Sequence, residues 1–271
     1  MLFRSYLFDN YIIKREYTSN TDRWSLQQAY KYTYENGNRK QENIQYKNRF
    51  ENEDENKKVL MLISMFHVSN PSQVYKYWLT GVLNYLNKDF KDFKIDIEGY
   101  INYLEKLAKY FFRNRYLANE PQSFDEIIFN NLNINDNIDV SKLNQGTLVE
   151  HFIFNYLDYL LWKLNRENNK YNFEYFNFSF SNSVEHFYPQ NPIEGHKKIN
   201  NIDNFGNLCL ISVSKNAKLN NHPPKSKKEY YLNGKYDSLK QHIMMEKSDN
   251  WDENSIEKHN SEMLEILELI K

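Results

Sequence analysis

The sequence predicts a mainly α-helical protein in which a small strand–strand–helix module appears late in the chain. Two observations predict this. Up to about residue 170, apolar residues recur at helical spacing. From Tyr171 to Phe180 the period becomes two, with Phe and Tyr alternating with small or polar residues as in a strand. The change divides the chain into a helical region, residues 1–170, and a second region, residues 171–271.

The elements follow in order. Lys57 to Val68 is an apolar helix, and Ser69-Asn70-Pro71-Ser72 is a break that ends in an N-cap residue. Gln73 to Asn87 continues with Val74, Trp78, Val82 and Tyr85 on one face, and Ile95 to Tyr116 places Ile97, Ile101, Leu104, Leu107 and Phe111 at helical spacing. Pro121 opens a helix through Ile128, and the Asn-rich run from Asn130 to Asn144 reads as a loop. Thr147 to Leu164, the most apolar helix, is expected at the centre of the core. After Tyr171–Phe180 come short strands ending at Val184–Tyr188 and spanning Asn207–Ser212, the second preceded by the turn Asp203-Asn204-Phe205-Gly206. Helix returns at Val213–Asn220 and from Ser226 onward. It closes with an amphipathic stretch, Ser255 to Ile270, carrying Ile256, Met263, Ile266, Leu267 and Ile270 on one side.

A chain of 271 residues suffices for one large domain or two modest ones. Hydrophobic residues make up 40%, charged residues 26%, and mean hydropathy is −0.84. No stretch approaches the roughly 20 apolar residues that a spanning helix needs; the best candidate, residues 147–164, is interrupted by Glu150, His151, Asn155 and Asp158. The first residues lack the features of a signal peptide. A single cysteine, Cys209, excludes an internal disulfide and a multi-cysteine zinc site, and it sits between two leucines, a poor place for a nucleophile. These readings point to a cytoplasmic, reduced protein with no membrane partner.

Net charge is −1, yet from His196 to Lys228 seven lysines (197, 198, 215, 218, 225, 227 and 228) face one acid, Asp203. That local basic stretch reads as a solvated face or as a nucleic-acid contact.

The chemistry-bearing run is Val184-Glu185-His186-Phe187-Tyr188-Pro189-Gln190, followed by Asn207-Leu208-Cys209-Leu210-Ile211 and by Ser214-Lys215-Asn216. A histidine at a strand end, held by a proline-terminated turn, can project into a groove, and its ordinary pKa of about 6.5 suits general-base work. A carboxylate just before it points to the opposite side of an extended chain, although at a strand end both can border one site. A carboxylate and an amide oxygen are hard donors suited to Mg²⁺ or Mn²⁺. Taken singly, each residue also has a structural reading. Glu185-His186 can be ordinary surface, His186 a satisfied structural histidine, Asn207 turn chemistry after Gly206, and Asn216 a helix cap. Asparagine makes up roughly one residue in seven, so the weight rests on the combined spacing. His196 and His222 lie near the run and read as surface loop histidines; His67, His151, His242 and His259 lie in helical stretches and are assigned no role.

The order acid-His-x-x-Pro-Gln, Gly-Asn-Leu-x-Leu, and Lys-Asn with its Asn nine residues after the first, resembles the HNH (His-Me finger) nucleases. It is most similar to the H-x-x-P nuclease domain of GmrSD-type modification-dependent restriction endonucleases and related phage-defence nucleases. The motif spans about Ser183 to Tyr231, and residues 59–86 resemble that family's connecting region.

The resemblance implies a small ββα-metal module with C-terminal helices in residues 171–271, after a helical connecting or regulatory region in residues 1–170. It implies a metal-dependent DNA endonuclease of a bacterial restriction or phage-defence system, acting on DNA that includes modified phage DNA. His186 would be the general base that activates water, and Asn207 would tie the loop between strands and orient it. Glu185 and Asn216 would hold one divalent ion, Mg²⁺ or Mn²⁺. Lys215, Lys218, Lys225, Lys227 and Lys228 would line the DNA backbone.

Glu185 stands where many such enzymes have Asp, and the H-x-x-P group accepts Glu. The Asp-Gly-Gln-Gln-Arg motif of the family's nucleotide-hydrolysing domain does not occur in this sequence, and neither does a Walker-type loop. Two explanations follow from the resemblance: a nuclease half encoded or expressed separately, or a partner that supplies the NTPase and target recognition. Two further readings stay open: a DNA-binding or scaffold subunit silent without that partner, and an RNase toxin using the same site.

Overall fold

The computed structural model describes residues 2–18, 21–36, 39–70, 76–92, 94–130, 133–173, 176–181, 183–195, 197–219, 221–231, 235–247 and 251–270. The expected break and cap at Pro71-Ser72, the apolar Val74, and His196 lie outside these residues. The protein is mainly α-helical, as the periodicity predicts, and its sheets are two-stranded. Among the described residues no helix is long and apolar enough to cross a membrane.

Two compact units are present. Residues 1–64 and 76–107 make the first, and residues 65–75 and 108–271 make the second. The first unit opens with α1 (Leu2–Tyr11), followed by β1 (Lys14–Thr18), β2 (Thr21–Ser25), β3 (Gln27–Asn36) and β4 (Arg39–Asn48). These strands form two antiparallel hairpins, β1–β2 and β3–β4. The sequence reading places helix throughout this region; residues 14–18, 21–25, 27–36 and 39–48 are strand instead. The reason is local: Tyr30, Tyr32 and Tyr34 alternate with Lys31 and Thr33, so β-favouring residues recur with period two.

The helices of the first unit are the start of α2 (Glu53–Ser69), α3 (Tyr77–Asp89) and the start of α4 (Ile97–Tyr110). Leu62, Trp78, Val82, Leu86 and Leu104 are buried in it. Its aromatic spine is Tyr85 stacked on Tyr103 with centroids 4.3 Å apart, beside Tyr100, whose hydroxyl donates to the Tyr11 carbonyl at 3.2 Å.

In the second unit α4 runs on as a π-helical segment, Phe111–Tyr116. Next come α5 (Phe124–Phe129), two 3₁₀ turns (Val140–Asn144 and Gly146–Leu148) and α6 (His151–Asn168). Ser123 and Glu126 form the reciprocal capping box that starts α5. The apolar run expected at the core centre is α6, which buries Phe152, Ile153, Phe154, Tyr156, Leu157, Tyr159, Leu161 and Trp162.

Residues 171–173 and 176–181 are irregular rather than the expected strand. Asn165 takes both backbone polar groups of Tyr171, accepting from its N–H at 2.7 Å and donating to its carbonyl at 2.8 Å. The rings of this stretch pair with one another instead, Tyr171 on Phe173 and Phe176 on Phe178. A side-chain clamp and aromatic packing have displaced the ladder.

The chain then forms β5 (Ser183–His186) and β6 (Leu208–Ile211), paired antiparallel, with a 3₁₀ turn at Phe205–Asn207 before β6. The helices α7 (Val213–Leu219), α8 (Pro224–Tyr231), α9 (Leu239–Lys247) and α10 (Glu253–Ile266) complete the unit. A core of Phe187, Cys209, Ile211, Leu219, Tyr231, Met244, Met245, Trp251 and Ile256 joins the hairpin to these helices. Gly206 sits against α10 so closely that a Cβ there would lie 2.1 Å from the Ile256 carbonyl oxygen and 2.8 Å from the Asn260 nitrogen. Both are helix backbone and cannot yield as a flexible side chain would. Replacing Gly206 by Ala is therefore expected to destabilise the unit by about 3 kcal/mol, seen as a lower urea midpoint with an unchanged denaturant slope.

Candidate active site

The register of the hairpin sets Ser183 opposite Ile211, Val184 opposite Leu210, Glu185 opposite Cys209 and His186 opposite Leu208. Side chains alternate along a strand, so Ser183 and Glu185 share the face of Cys209 and Ile211. His186 projects from the other face at the strand's last position.

Glu185 thus enters the edge of an apolar cluster, where it is 9% exposed. A carboxylate there needs a partner, and α8 supplies one. Lys227, 1% exposed, places Nζ 2.5 Å from Glu185 Oε1 and 2.6 Å from the His186 carbonyl oxygen. Burial draws the Lys227 ammonium below its ordinary pKa, and Glu185 pulls the other way.

His186 Nε2 lies 2.8 Å from Asp203 Oδ1, and Asp203 also accepts from Gln190 Nε2 at 3.3 Å. An ionised carboxylate only accepts, so Nε2 carries the hydrogen and the lone pair of neutral imidazole sits on Nδ1. Asp203 packs against Gly146, which has φ +57°; a Cβ there would stand 2.5 Å from Oδ1. A left-handed backbone and a close approach both require glycine at that position.

Asn207 is wholly buried and fully satisfied. Its Oδ1 accepts from the Tyr188 N–H at 2.8 Å, and its Nδ2 donates to the carbonyls of Tyr188 (3.0 Å) and Ile202 (2.9 Å). Its own carbonyl accepts from the Phe187 N–H at 2.8 Å. Lys240 of α9 donates to the carbonyls of Phe205 and Leu208, on either side of Asn207. Asp158 of α6 accepts the Lys240 backbone N–H at 2.9 Å. Burial lowers the Lys240 ammonium to about 7 and raises the Asp158 carboxyl to about 7, each against the charge of the other.

Asn216 lies inside α7, past its first residues, which sets aside the capping alternative. Its Nδ2 donates to Ser183 Oγ at 2.5 Å. The amide nitrogen is thereby engaged. Ser183 shares the strand face of Glu185, so the bond brings Asn216 to the Glu185 side.

The lysines divide. Lys218 and Lys225 are exposed and Lys228 is half-buried. Lys215 donates to Asp237 Oδ1 and to the Lys235 carbonyl, both at 2.8 Å, and Lys227 is buried under β5. Lys215 is partly exposed and already shares its ammonium with Asp237, and Lys227, 1% exposed, has its ammonium taken up by Glu185 and the His186 carbonyl.

Sequence reasoning missed three contributors. Asp203 had a signal, as the single acid of the basic segment placed in a turn. Lys240 and Asp158 had none, because only the tertiary fold brings them to the turn.

A hard divalent cation held at this strand would have two oxygen donors from this chain. Glu185 offers Oε2, the oxygen that Lys227 does not engage, and Asn216 offers Oδ1. Among the described residues no three His, Cys, Asp or Glu side chains cluster as a metal cage. A sparse set suits Mg²⁺, which keeps waters and takes substrate phosphate as further ligands.

Residues 122–266, just over half of the chain, match the C-terminal domain of the GmrSD restriction endonucleases. The chain belongs to the GmrSD family. No curated protein and no solved structure matches it significantly. As a GmrSD-type chain it stands among the restriction endonucleases, enzymes that cut DNA, and the matched residues include Asp158, Glu185, His186, Asp203, Asn207, Asn216, Lys227 and Lys240.

Replacing Asn207 by Ala leaves one buried N–H and two carbonyls unpaired and is expected to cost about 3 kcal/mol or more. Lys227→Met leaves Glu185 unpaired and should cost about 3–5 kcal/mol. Urea unfolding of each variant against the parent chain measures both.

Proposed function

We infer that this GmrSD-type chain is a metal-dependent DNA endonuclease of the HNH kind, with Glu185, His186, Asn207 and Asn216 at its centre. One observation carries the reading: a histidine whose tautomer and orientation are fixed by Asp203 stands next to a half-engaged carboxylate at a strand end.

In the proposed reaction His186 Nδ1 takes a proton from the attacking water. Asp203, through the Nε2 hydrogen, favours the imidazolium that forms. The water oxygen bonds to phosphorus in line with the departing oxygen, which leaves with the bonding electron pair and is protonated from solvent. Glu185 and His186 project from opposite faces of β5, so the scissile phosphate straddles the strand's end. Asn207 keeps the turn closed around that end. A divalent ion, Mg²⁺ or Mn²⁺, held by Glu185 and Asn216, would neutralise charge on the phosphate and its leaving oxygen. Lys218 and Lys225, both exposed, are the candidates for backbone contacts; such contacts give affinity and salt sensitivity without sequence choice.

A second reading, a subunit silent without an NTPase or recognition partner, is favoured by the Lys227 ammonium already bound to Glu185. Nicking by the chain alone excludes it.

The test is nicking of supercoiled plasmid in Mg²⁺ or Mn²⁺ against EDTA. His186→Ala should lose about 10²–10⁴-fold in rate and keep its thermal midpoint; a fully active variant overturns the assignment. Asp203→Asn should lose less, since the base itself remains. Glu185→Gln should lose any rise in thermal midpoint that Mn²⁺ gives the parent. RNA as a competing substrate separates a DNase from an RNase.

A further inference from the structure

The β3–β4 ribbon lies in the first unit and holds none of the residues above. Its register sets Tyr30, Tyr32 and Tyr34 opposite Gln45, Asn43 and Gln41. Residues two apart on a strand share a face, so one face carries three tyrosine rings in a row beside three amides in a row. The rings are 50%, 38% and 40% exposed, although aromatic side chains offer some of the largest burial gains available to a fold. They are nonetheless fixed. The Tyr34 hydroxyl donates to Gln41 Oε1 at 2.8 Å, Asn43 Nδ2 donates to the Tyr32 hydroxyl at 3.3 Å, and Lys47 Nζ stands 4.4 Å from the Tyr30 ring centroid. The Tyr32 and Tyr34 rings are 6.1 Å apart.

Charge adds a third feature. Between residues 27 and 49 the sequence carries Lys31, Arg39, Lys40, Lys47 and Arg49 against Glu35 and Glu42, an excess of three positive charges in a chain of net charge −1. Exposed ordered rings, amides on the same face and a basic surround call for a ligand with flat π faces, polar edges and negative charge. Nucleobases on a phosphate backbone have all three. An apolar protein surface would explain the rings and leave the amide row and the charge without purpose. A paired duplex hides its base faces in the stack, whereas unpaired bases present them.

We propose that the Tyr30–Tyr32–Tyr34 face of the ribbon binds unpaired bases of a DNA strand. The rings stack the bases, Gln41, Asn43 and Gln45 meet their edges, and Lys47, which the register places on the same face, attracts the backbone. The choice of DNA rests on the endonuclease reading above. Side chains on one strand face repeat about every 6.8 Å, which gives each ring one base of an extended strand.

The test uses the full chain in EDTA, with fluorescence anisotropy of a labelled DNA strand, the matching duplex and an RNA strand of the same sequence. The DNA strand should bind more tightly than the duplex. Replacing all three tyrosines by Ala should weaken strand binding about a hundredfold or more, and replacing all three by Phe should keep most of the affinity. Lys47→Glu, which removes the lysine on the tyrosine face and no ring, should weaken binding and flatten its salt dependence, whereas Lys31→Glu on the opposite face should do so far less. Parent-like binding by the alanine variant, a preference for duplex or for RNA, or no DNA binding by the parent chain would overturn the proposal. His186→Ala should bind as the parent does. Ribbon-dependent binding without nicking in any metal would sink the nuclease reading alone; nicking with ribbon variants that bind like the parent would sink this proposal alone.

Discussion

The turn that closes around the end of β5 depends on one buried side chain whose amide oxygen and both N–H donors are engaged. Asn207 joins the backbone just after β5, at Tyr188, to the backbone just before its own turn, at Ile202. Two segments that would otherwise separate are thereby closed around the end of a short strand. Lys240 repeats the device from below, since its ammonium holds the carbonyls on both sides of Asn207. A hairpin of four-residue strands has little stability of its own. The polar lock and the apolar cluster behind it give His186 a fixed place from which to act.

Buried charge is the recurring means. Lys227 and Glu185 form an ion pair taken out of water, at a desolvation cost that only good geometry offsets, while Asp158 accepts the Lys240 backbone N–H and meets its buried ammonium through charge alone. Both lysines donate to backbone carbonyls as well as facing an acid, so each ammonium links helix to hairpin. The basic segment consequently differs from the uniform patch its composition implies. Two of its seven lysines, Lys215 and Lys227, serve the fold, and the surface left for an anionic partner is smaller than the formal count.

The motif residues and most helices were legible because local rules decide them. Helical spacing marked α2, α4, α6 and α10, and the acid-His pair fell at the end of β5 as expected. The ribbon was legible in principle: Tyr30, Tyr32 and Tyr34 alternate, and Asn36-Gly37 follows, the dipeptide that two-residue hairpins favour. Helical spacing itself begins only at Lys57, and carrying it back over residues 14–48 passes over this alternation. At Tyr171–Phe180 the error ran the other way. The alternation was real, and Asn165, a residue outside the window, took the backbone groups a ladder would have used. Asp158 and Lys240 are 82 positions apart, and no window-based reading links them.

The fastenings of the turn also decide what could be moved between proteins by recombination. A graft beginning at Tyr171 would carry the whole acid-His-Asn pattern yet leave behind Asp158, Phe154, Gly146 and Asn144, whose Oδ1 accepts from the Phe205 N–H at 3.0 Å. Such a graft would have the motif residues without the frame that spaces them. The smallest heritable cassette begins before Asn144, so shuffling among defence genes should preserve α6 and its preceding turns together with the hairpin.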